Sequence, residues 1–415
     1  AAKAPTERER AYLAAVEGLY FGGGDKAERD RAYSLAMADL YGRWPDDLEA
    51  GAFSALSILG LVYGGDPGDQ RYPQLMRAAA ILEELFDLEP RHPGVLHYLI
   101  HSYDDPTHAP LGLRPARIYA QTAPAAHHAL HMPSHIFVQL GRWQDVASSN
   151  EDAWAASVAW VERRGLDPDK RDFHSLSWLH YAYLQQRRTA KAEAVLAVAR
   201  QAVADGGGHR AHHAKDTLEA RHLLETSATS ASPAADASPG LLYAAGVALV
   251  RGGDLARAGE VLERLRGAED GGGMHGEESA LPIMVEELAG QLALAAGKSE
   301  EGFDHLRRAV EIEAGDPPPM GPPYPMETAH EVYGRALLAN GKATEALAEL
   351  DAALARTPRR PAVLLAAARA ALAIGDRGIA ARYYGDLAEI WAQADPGQPE
   401  VAEAKDFVAA EPAAR

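Results

Sequence analysis

VYGRALLANGKATEALAELDAALARTP, residues 332–358, carries a ladder of small residues that sets the fold. Gly334 is followed at seven residues by Gly341, then by Ala346, Leu350 and Ala353, and Pro358 closes the stretch. Shifted by 34 residues, the ladder returns as Ala368, Gly375, Ala380 and Tyr384. It recurs at Gly246, Gly253, Ala258 and Leu262, and again at Gly290, Gly297, Gly302 and Leu306. Between these marks, apolar residues fall at i, i+3, i+4 and i+7, the period of a helix with one buried stripe. Small residues at fixed offsets are what two closely crossing helices require, and a glycine between them supplies a tight turn. Alternating strand patterns are scarce, and short signals such as RWPDD, LEPRHP, LGRW, ANGK and AIGD punctuate the chain. The expectation is an all-α chain of about nine helical hairpins.

This repeat resembles the tetratricopeptide repeat (TPR), a helix–turn–helix unit. The resemblance implies a right-handed α-solenoid of TPR-like helical hairpins. The ladder is regular in the C-terminal half and degenerate in the N-terminal half. The chain therefore divides into degenerate repeats over 1–226, a Ser/Ala/Pro-rich loop over 227–240, and regular repeats with a capping helix, PEVAEAKDFVAA, over 241–415. The Pro-rich GDPPPMGPPYP, residues 315–325, reads as a rigid polyproline spacer, with a lid over the groove as the sharper alternative.

Composition narrows the function. The 415 residues exceed what one compact core usually holds. There is no cysteine, hence no disulfide, zinc–thiolate site or cysteine nucleophile. A net charge of −18 argues against a nucleic-acid surface. No run of eighteen apolar residues predicts a membrane span. The chain opens AAKAPTERERAYL with no initiator Met and no signal h-region, so the N-terminus reads as processed or trimmed and the compartment is left open, cytoplasmic or exported with a signal segment removed. Walker, HExxH and GxSxG motifs are absent, and FGGGDK lacks the phosphate-loop spacing.

Eight of the seventeen histidines lie within residues 92–135. His97 and His101, like His131 and His135, are spaced i, i+4 and share one helix face. With Gly141 as the turn of a tetratricopeptide-like unit, the resemblance puts His128, His131 and His135 at groove-lining positions of the first helix. Thr107 as the preceding turn puts His97 and His101 there too, with PTHAPLGL as an insertion. In the following unit His174 is a further candidate and His180 falls at the buried crossing. Pro133 marks a place where the helix begins or kinks.

Two such pairs on adjacent helices match a transition-metal site of nitrogen ligands, Cu, Fe or Zn. The candidate ligands are His97, His101, His131 and His135. His128, Asp104 and Tyr103 are candidate catalytic or supporting groups, with Asp105 an alternative carboxylate and Tyr98 and Tyr181 further hydroxyls. The bland alternative is that these rings cap helices, bond backbone carbonyls or contact a peptide. DGGGHRAHH reads as a second histidine-bearing loop, and Glu219, Arg221 and Glu225 as a solvated helix face, with Arg221 reaching a groove carboxylate as the alternative. Crowded imidazoles resist protonation, and metal affinity is expected to fall on acidification near pH 6.5.

The blocks HPGVLHYLIHSYDDP and AHHALHMPSHIFVQLGRW are similar to those of a group of bacterial tetratricopeptide-repeat proteins with HYLIHxYDxP and HALHMPSHIF signatures. The matching residues are His92, His97, His101, Asp104, His128, His131 and His135. That resemblance implies the fold and no reaction. The functional reading is a solenoid whose His-lined groove binds a metal, a metal-dependent oxidoreductase or hydrolase for a small or peptide-like substrate. The alternative is a non-catalytic scaffold for a peptide or protein partner.

Overall fold

The computed structural model describes residues 4–64, 71–268 and 280–410. Among them there is no strand, and the chain is an all-α solenoid of helical hairpins. It forms two compact units, one ending at Ile136 and one starting at Phe137.

The first unit contains α1 (Glu7–Phe21), α2 (Lys26–Arg43), α3 (Leu48–Tyr63), α4 (Arg71–Leu88), α5 (Pro93–Ser102), α6 (Ala109–Thr122) and α7 (His127–His131), and α8 (Pro133–Gln139) leads out of it. Its helices start where the sequence supplies acceptors. Thr6 and Asp25 each form a capping box, with Glu9 and Glu28. Leu75, Leu82, Leu85, Leu96 and Leu99 are essentially fully buried between consecutive pairs. Each such side chain contributes about 1.5–3 kcal/mol by leaving water.

The second unit contains α9 (Trp143–Arg164), α10 (Phe173–Gln185), α11 (Thr189–Ala204), α12 (His209–Glu225), α13 (Pro239–Arg251), α14 (Leu255–Arg266), α15 (Ala280–Ala295), α16 (Ser299–Glu313), α17 (Ala329–Ala339), α18 (Ala343–Arg356), α19 (Pro361–Ala373), α20 (Arg377–Ile390) and α21 (Pro399–Ala410). The repeat glycines behave as the ladder requires. Gly253, Gly297, Gly341 and Gly375 all have φ between 75° and 84°. Where α15 crosses α16, a Cβ on Gly290 would lie 2.7 Å from Leu306 Cγ and 2.9 Å from the Gly302 carbonyl oxygen, so only glycine permits that approach.

The second unit also joins its own two ends. Trp143 Nε1 donates to the Arg359 carbonyl (3.1 Å), Trp391 Nε1 to the Gln185 carbonyl (3.0 Å), and Arg360 Nη1 to the Tyr181 hydroxyl (2.8 Å).

Several expectations are corrected. PTHAPLGL is partly helical, because α6 starts at Ala109 within it and only its first three residues stay in the connection from α5. HRAHH is no loop, because it forms the first turns of α12. Arg221 and Glu225 are not a solvated face: Arg221 is 7% exposed and Glu225 pairs with buried Arg360 at 2.8 Å. Tyr181 is absorbed by the same network, since its hydroxyl is bonded to Arg360.

The Pro-rich stretch is seated on the second unit. The Pro319 carbonyl accepts from Gln139 Nε2 (2.9 Å), and Gly321 packs so tightly on the Trp178 ring that no Cβ would fit. It joins α16 to α17 while covering α10.

No helix among the described residues is long and apolar enough to cross a membrane.

Candidate metal centre

Helix α5 starts with His92, whose Nδ1 accepts from Val95 N (3.3 Å) and whose Nε2 meets Glu49 (3.2 Å). His92 is therefore a cap, and Pro93 follows at the first helical position, where its missing N–H costs nothing. One and two turns on, His97 and His101 share a face of α5, with their Nε2 atoms 3.2 Å apart.

The second pair spans the break at Met132. Pro133 begins α8, yet Met132 keeps helical dihedrals (φ −51°, ψ −37°), so the chain continues in nearly the same direction. His131 accordingly ends α7 instead of swinging into a turn. Its Nε2 stays 3.2 Å from that of His135.

His128, one turn before His131, closes the arrangement, with its Nε2 3.2 Å from His97 Nε2. The five rings form a circuit. Centroids are 4.9 Å apart for His97–His101, 5.0 Å for His97–His128, 6.4 Å for His128–His131, 5.1 Å for His131–His135 and 5.7 Å for His101–His135. All five lie in the first unit.

The surroundings orient these rings. Asp104, 2% exposed, places Oδ2 2.7 Å from His135 Nδ1. An ionised carboxylate only accepts, so His135 carries its proton on Nδ1 and turns a lone pair outward from Nε2. Ser134 Oγ spends its proton on the His131 carbonyl (2.6 Å) and lies 3.4 Å from His131 Nδ1. That arrangement favours a proton on Nδ1 of His131 as well, a tautomer assigned from the hydrogen-bond pattern. The two Nε2 atoms lie 3.2 Å apart, a separation that two ligands of one ion also adopt.

Tyr63 donates to the His101 carbonyl (2.6 Å) with its ring edge-on to that imidazole, and Tyr119 stacks on His97 at 5.6 Å. Burial, then repulsion from His101 and His128, pushes the His97 imidazole down to about 3. Burial, then His135, does the same for His101, against the opposing pull of Asp104. Both rings are neutral, lone-pair donors over the ordinary pH range.

The sequence-derived residues are thus brought together unequally. His97, His101, His128, His131 and His135 share one circuit, and Asp104 stands behind His135. Tyr103 ends α5 but turns its hydroxyl to Glu83 on α4 (3.1 Å). Asp105 is taken up by His108 (2.7 Å). His174 lies on α10, tilted on Trp178 at 5.5 Å. Tyr63, Tyr119 and Ser134 were not singled out from the sequence. Ser134 adjoins the histidine block, but the two tyrosines lie on α3 and α6, and only packing brings them in.

The chain matches no family model and no curated protein. Solved structures similar to it include a chain of the APC/C hetero-tetramer Cut9-Hcn1, at 12% identity and TM-score 0.35 over 97% of this chain. This chain spans only 66% of that chain's length. Others are the P58(IPK) TPR domain, at 11% identity, TM-score 0.26 and coverages of 88% and 98%, and a tetratricopeptide repeat protein from Parabacteroides merdae, at 9%, 0.31, 88% and 98%. None of these likenesses bears on activity or ligand.

The imidazole spacing suits a metal by itself. With metal–nitrogen bonds of about 2.0–2.1 Å, two nitrogens on one tetrahedral ion stand about 3.3 Å apart. Each of the three close Nε2 pairs is at 3.2 Å. Elsewhere His180, fully buried as expected at its crossing position, meets His222 (3.4 Å) in the second unit, and His222 in turn meets Glu193 (3.3 Å).

Proposed function

We propose that the first unit binds a transition metal, Cu, Fe or Zn, through the circuit of His97, His101, His128, His131 and His135, and that the ion serves a metal-dependent oxidation or hydrolysis of a small or peptide-like substrate. The observation that carries this reading is the convergence of Nε2 atoms at 3.2 Å, with His135 backed by Asp104. When bound, such an ion polarises a substrate oxygen or makes hydroxide from water near neutral pH. The chain's own contribution is orientation. Asp104 holds the proton on His135 Nδ1, Ser134 steadies His131, and Tyr63 fixes the α5 backbone at His101. His128 stands with the ligands in this reading, and Tyr103 is a positioning contact to α4.

The test is metal analysis of untagged protein. Stoichiometric metal, regained by stripped protein on dialysis against Zn2+, Cu2+ or Fe2+, supports the reading. Metal-free protein that takes up none of these ends it.

A second reading, a scaffold for a protein partner, has one specific observation in its favour. The outer side of α1 exposes Leu13, Val16, Tyr20 and Phe21, the last two at 71% and 86%. Chelation would leave such binding unchanged, whereas a substrate of the metal centre would be released.

A further inference from the structure

The Pro-rich connection between α16 and α17 is held as a bound peptide is held. Residues 317–323 lie in no helix, and side chains from other elements grip the carbonyls along the segment. Arg356 Nη2 donates to the Asp316 and Pro317 carbonyls (3.2 Å each), Gln139 Nε2 to that of Pro319 (2.9 Å) and Arg360 Nη2 to that of Met326 (3.4 Å). Gly321 lies against Trp178, where a Cβ would stand 2.4 Å from the ring. An extended segment gripped along its backbone, with an aromatic ring beneath it, is the pattern by which folded domains recognise polyproline-type peptides.

Arg221 is poorly served by this occupant. It is 7% exposed, its Nη2 reaches the Pro322 carbonyl only at 3.5 Å, and its Nε and Nη1 have no acceptor among the described residues. Glu225, one turn further along α12, is taken by Arg360 at 2.8 Å. The Tyr181 hydroxyl accepts from Arg360 as well, so Tyr181 offers Arg221 its ring, at 5.3 Å. A guanidinium kept from water without an anionic partner is costly. A carboxylate in place of the neutral Pro322 carbonyl removes that cost through charge-assisted hydrogen bonds.

We infer that residues 316–326 are the internal occupant of a peptide-binding seat on the second unit, and that the seat's partner is an extended, proline-containing segment with an acidic side chain where Pro322 now lies. A glycine precedes the acid in such a segment, because Trp178 admits no Cβ at that position. The seat lies wholly in the second unit and does not depend on the metal reading.

The experiment is fluorescence anisotropy of two labelled peptides, residues 315–325 (GDPPPMGPPYP) and the same peptide carrying Pro322→Glu, titrated with the full-length chain. Gly321→Val drives the chain's own segment off Trp178 and leaves the seat's side chains in place. That variant is expected to bind both peptides, the acidic one about tenfold more tightly. The wild type is expected to bind each at least about tenfold more weakly than the variant, because its tethered segment competes at high effective concentration. Adding Arg221→Gln to Gly321→Val should abolish the preference for the acidic peptide and leave the neutral one bound. Gly321→Ala repeats the measurement should the valine variant lose its far-UV circular dichroism. Failure of both peptides to bind overturns the inference, as does equal binding by wild type and variant, or loss of the fold in both Gly321 variants. An acidic preference that is missing, or that survives Arg221→Gln, overturns the assignment of the acid to Arg221.

Discussion

His135 has its tautomer set from behind by a single buried contact. Asp104 Oδ2 lies 2.7 Å from Nδ1 and is almost fully buried, so the proton stays there and Nε2 remains a donor to metal. Asp104→Asn keeps the shape and removes the charge, so the neutral amide can no longer enforce the tautomer. Metal affinity should fall about 10–100-fold with the fold intact. Calorimetric titration with Zn2+ checks this, and unchanged affinity would mean the carboxylate does not orient the ring.

The pH dependence also belongs to single residues. His97 and His101 are held near 3 in the folded chain, below the ordinary value of about 6.5 that they regain on unfolding. Between those values the unfolded chain binds more protons, so stability of the metal-free protein rises with pH and is lost as pH falls from 6.5 towards 3. Proton competition at these two ligands is correspondingly weak at pH 5. Metal held through these two rings should persist there instead of leaving near 6.5, where free histidines would release it. Measuring metal content and thermal stability between pH 4 and 7 tests both halves of this expectation.

At the scale of elements, the hairpin crossings carry the packing. Gly290 and Gly302 let α15 and α16 approach until backbone meets backbone, and a methyl on Gly290 would lie 2.9 Å from a carbonyl oxygen that cannot move aside. Gly290→Ala gains helix propensity but forces the pair apart, and overpacking of this kind costs about 1–3 kcal/mol. Gly259, on the neighbouring α14, has no atom within 4 Å of its added Cβ, so Gly259→Ala should be neutral or stabilising. Chemical denaturation should therefore lower the midpoint for Gly290→Ala and leave it unchanged or raised for Gly259→Ala.

At the scale of the whole molecule, the second unit is held by buried ions as well as by apolar stripes. Arg360, 1% exposed, bonds Glu331 and Glu225 as well as Tyr181, and Arg335 links Glu331 to Glu327. Removing the central cation leaves buried carboxylates uncompensated. Arg360→Ala should lower stability by about 3–5 kcal/mol, whereas Arg369→Ala, at an exposed pair with Glu403, should cost about 1 kcal/mol or less. Urea unfolding distinguishes them. Metal content should be unaffected by Arg369→Ala.

The ladder of small residues and the 3.6 period were enough to give the all-α solenoid of hairpins. Both are local consequences of helix geometry, and positive φ at Gly253, Gly297, Gly341 and Gly375 is the turn that the spacing demands. The i, i+4 pairing of His97 with His101 and of His131 with His135 was legible for the same reason, because residues one turn apart share a face. Only tertiary structure decided that His128 touches His97, that Asp104 rather than Asp105 reaches His135, and that Tyr103 turns to Glu83. Those outcomes depend on how α4, α5 and α7 pack, and no local period encodes the distance between side chains 31 residues apart. The same holds for Arg221 and Glu225, whose spacing on α12 reads as a solvated face until Tyr181 and Arg360 close over them.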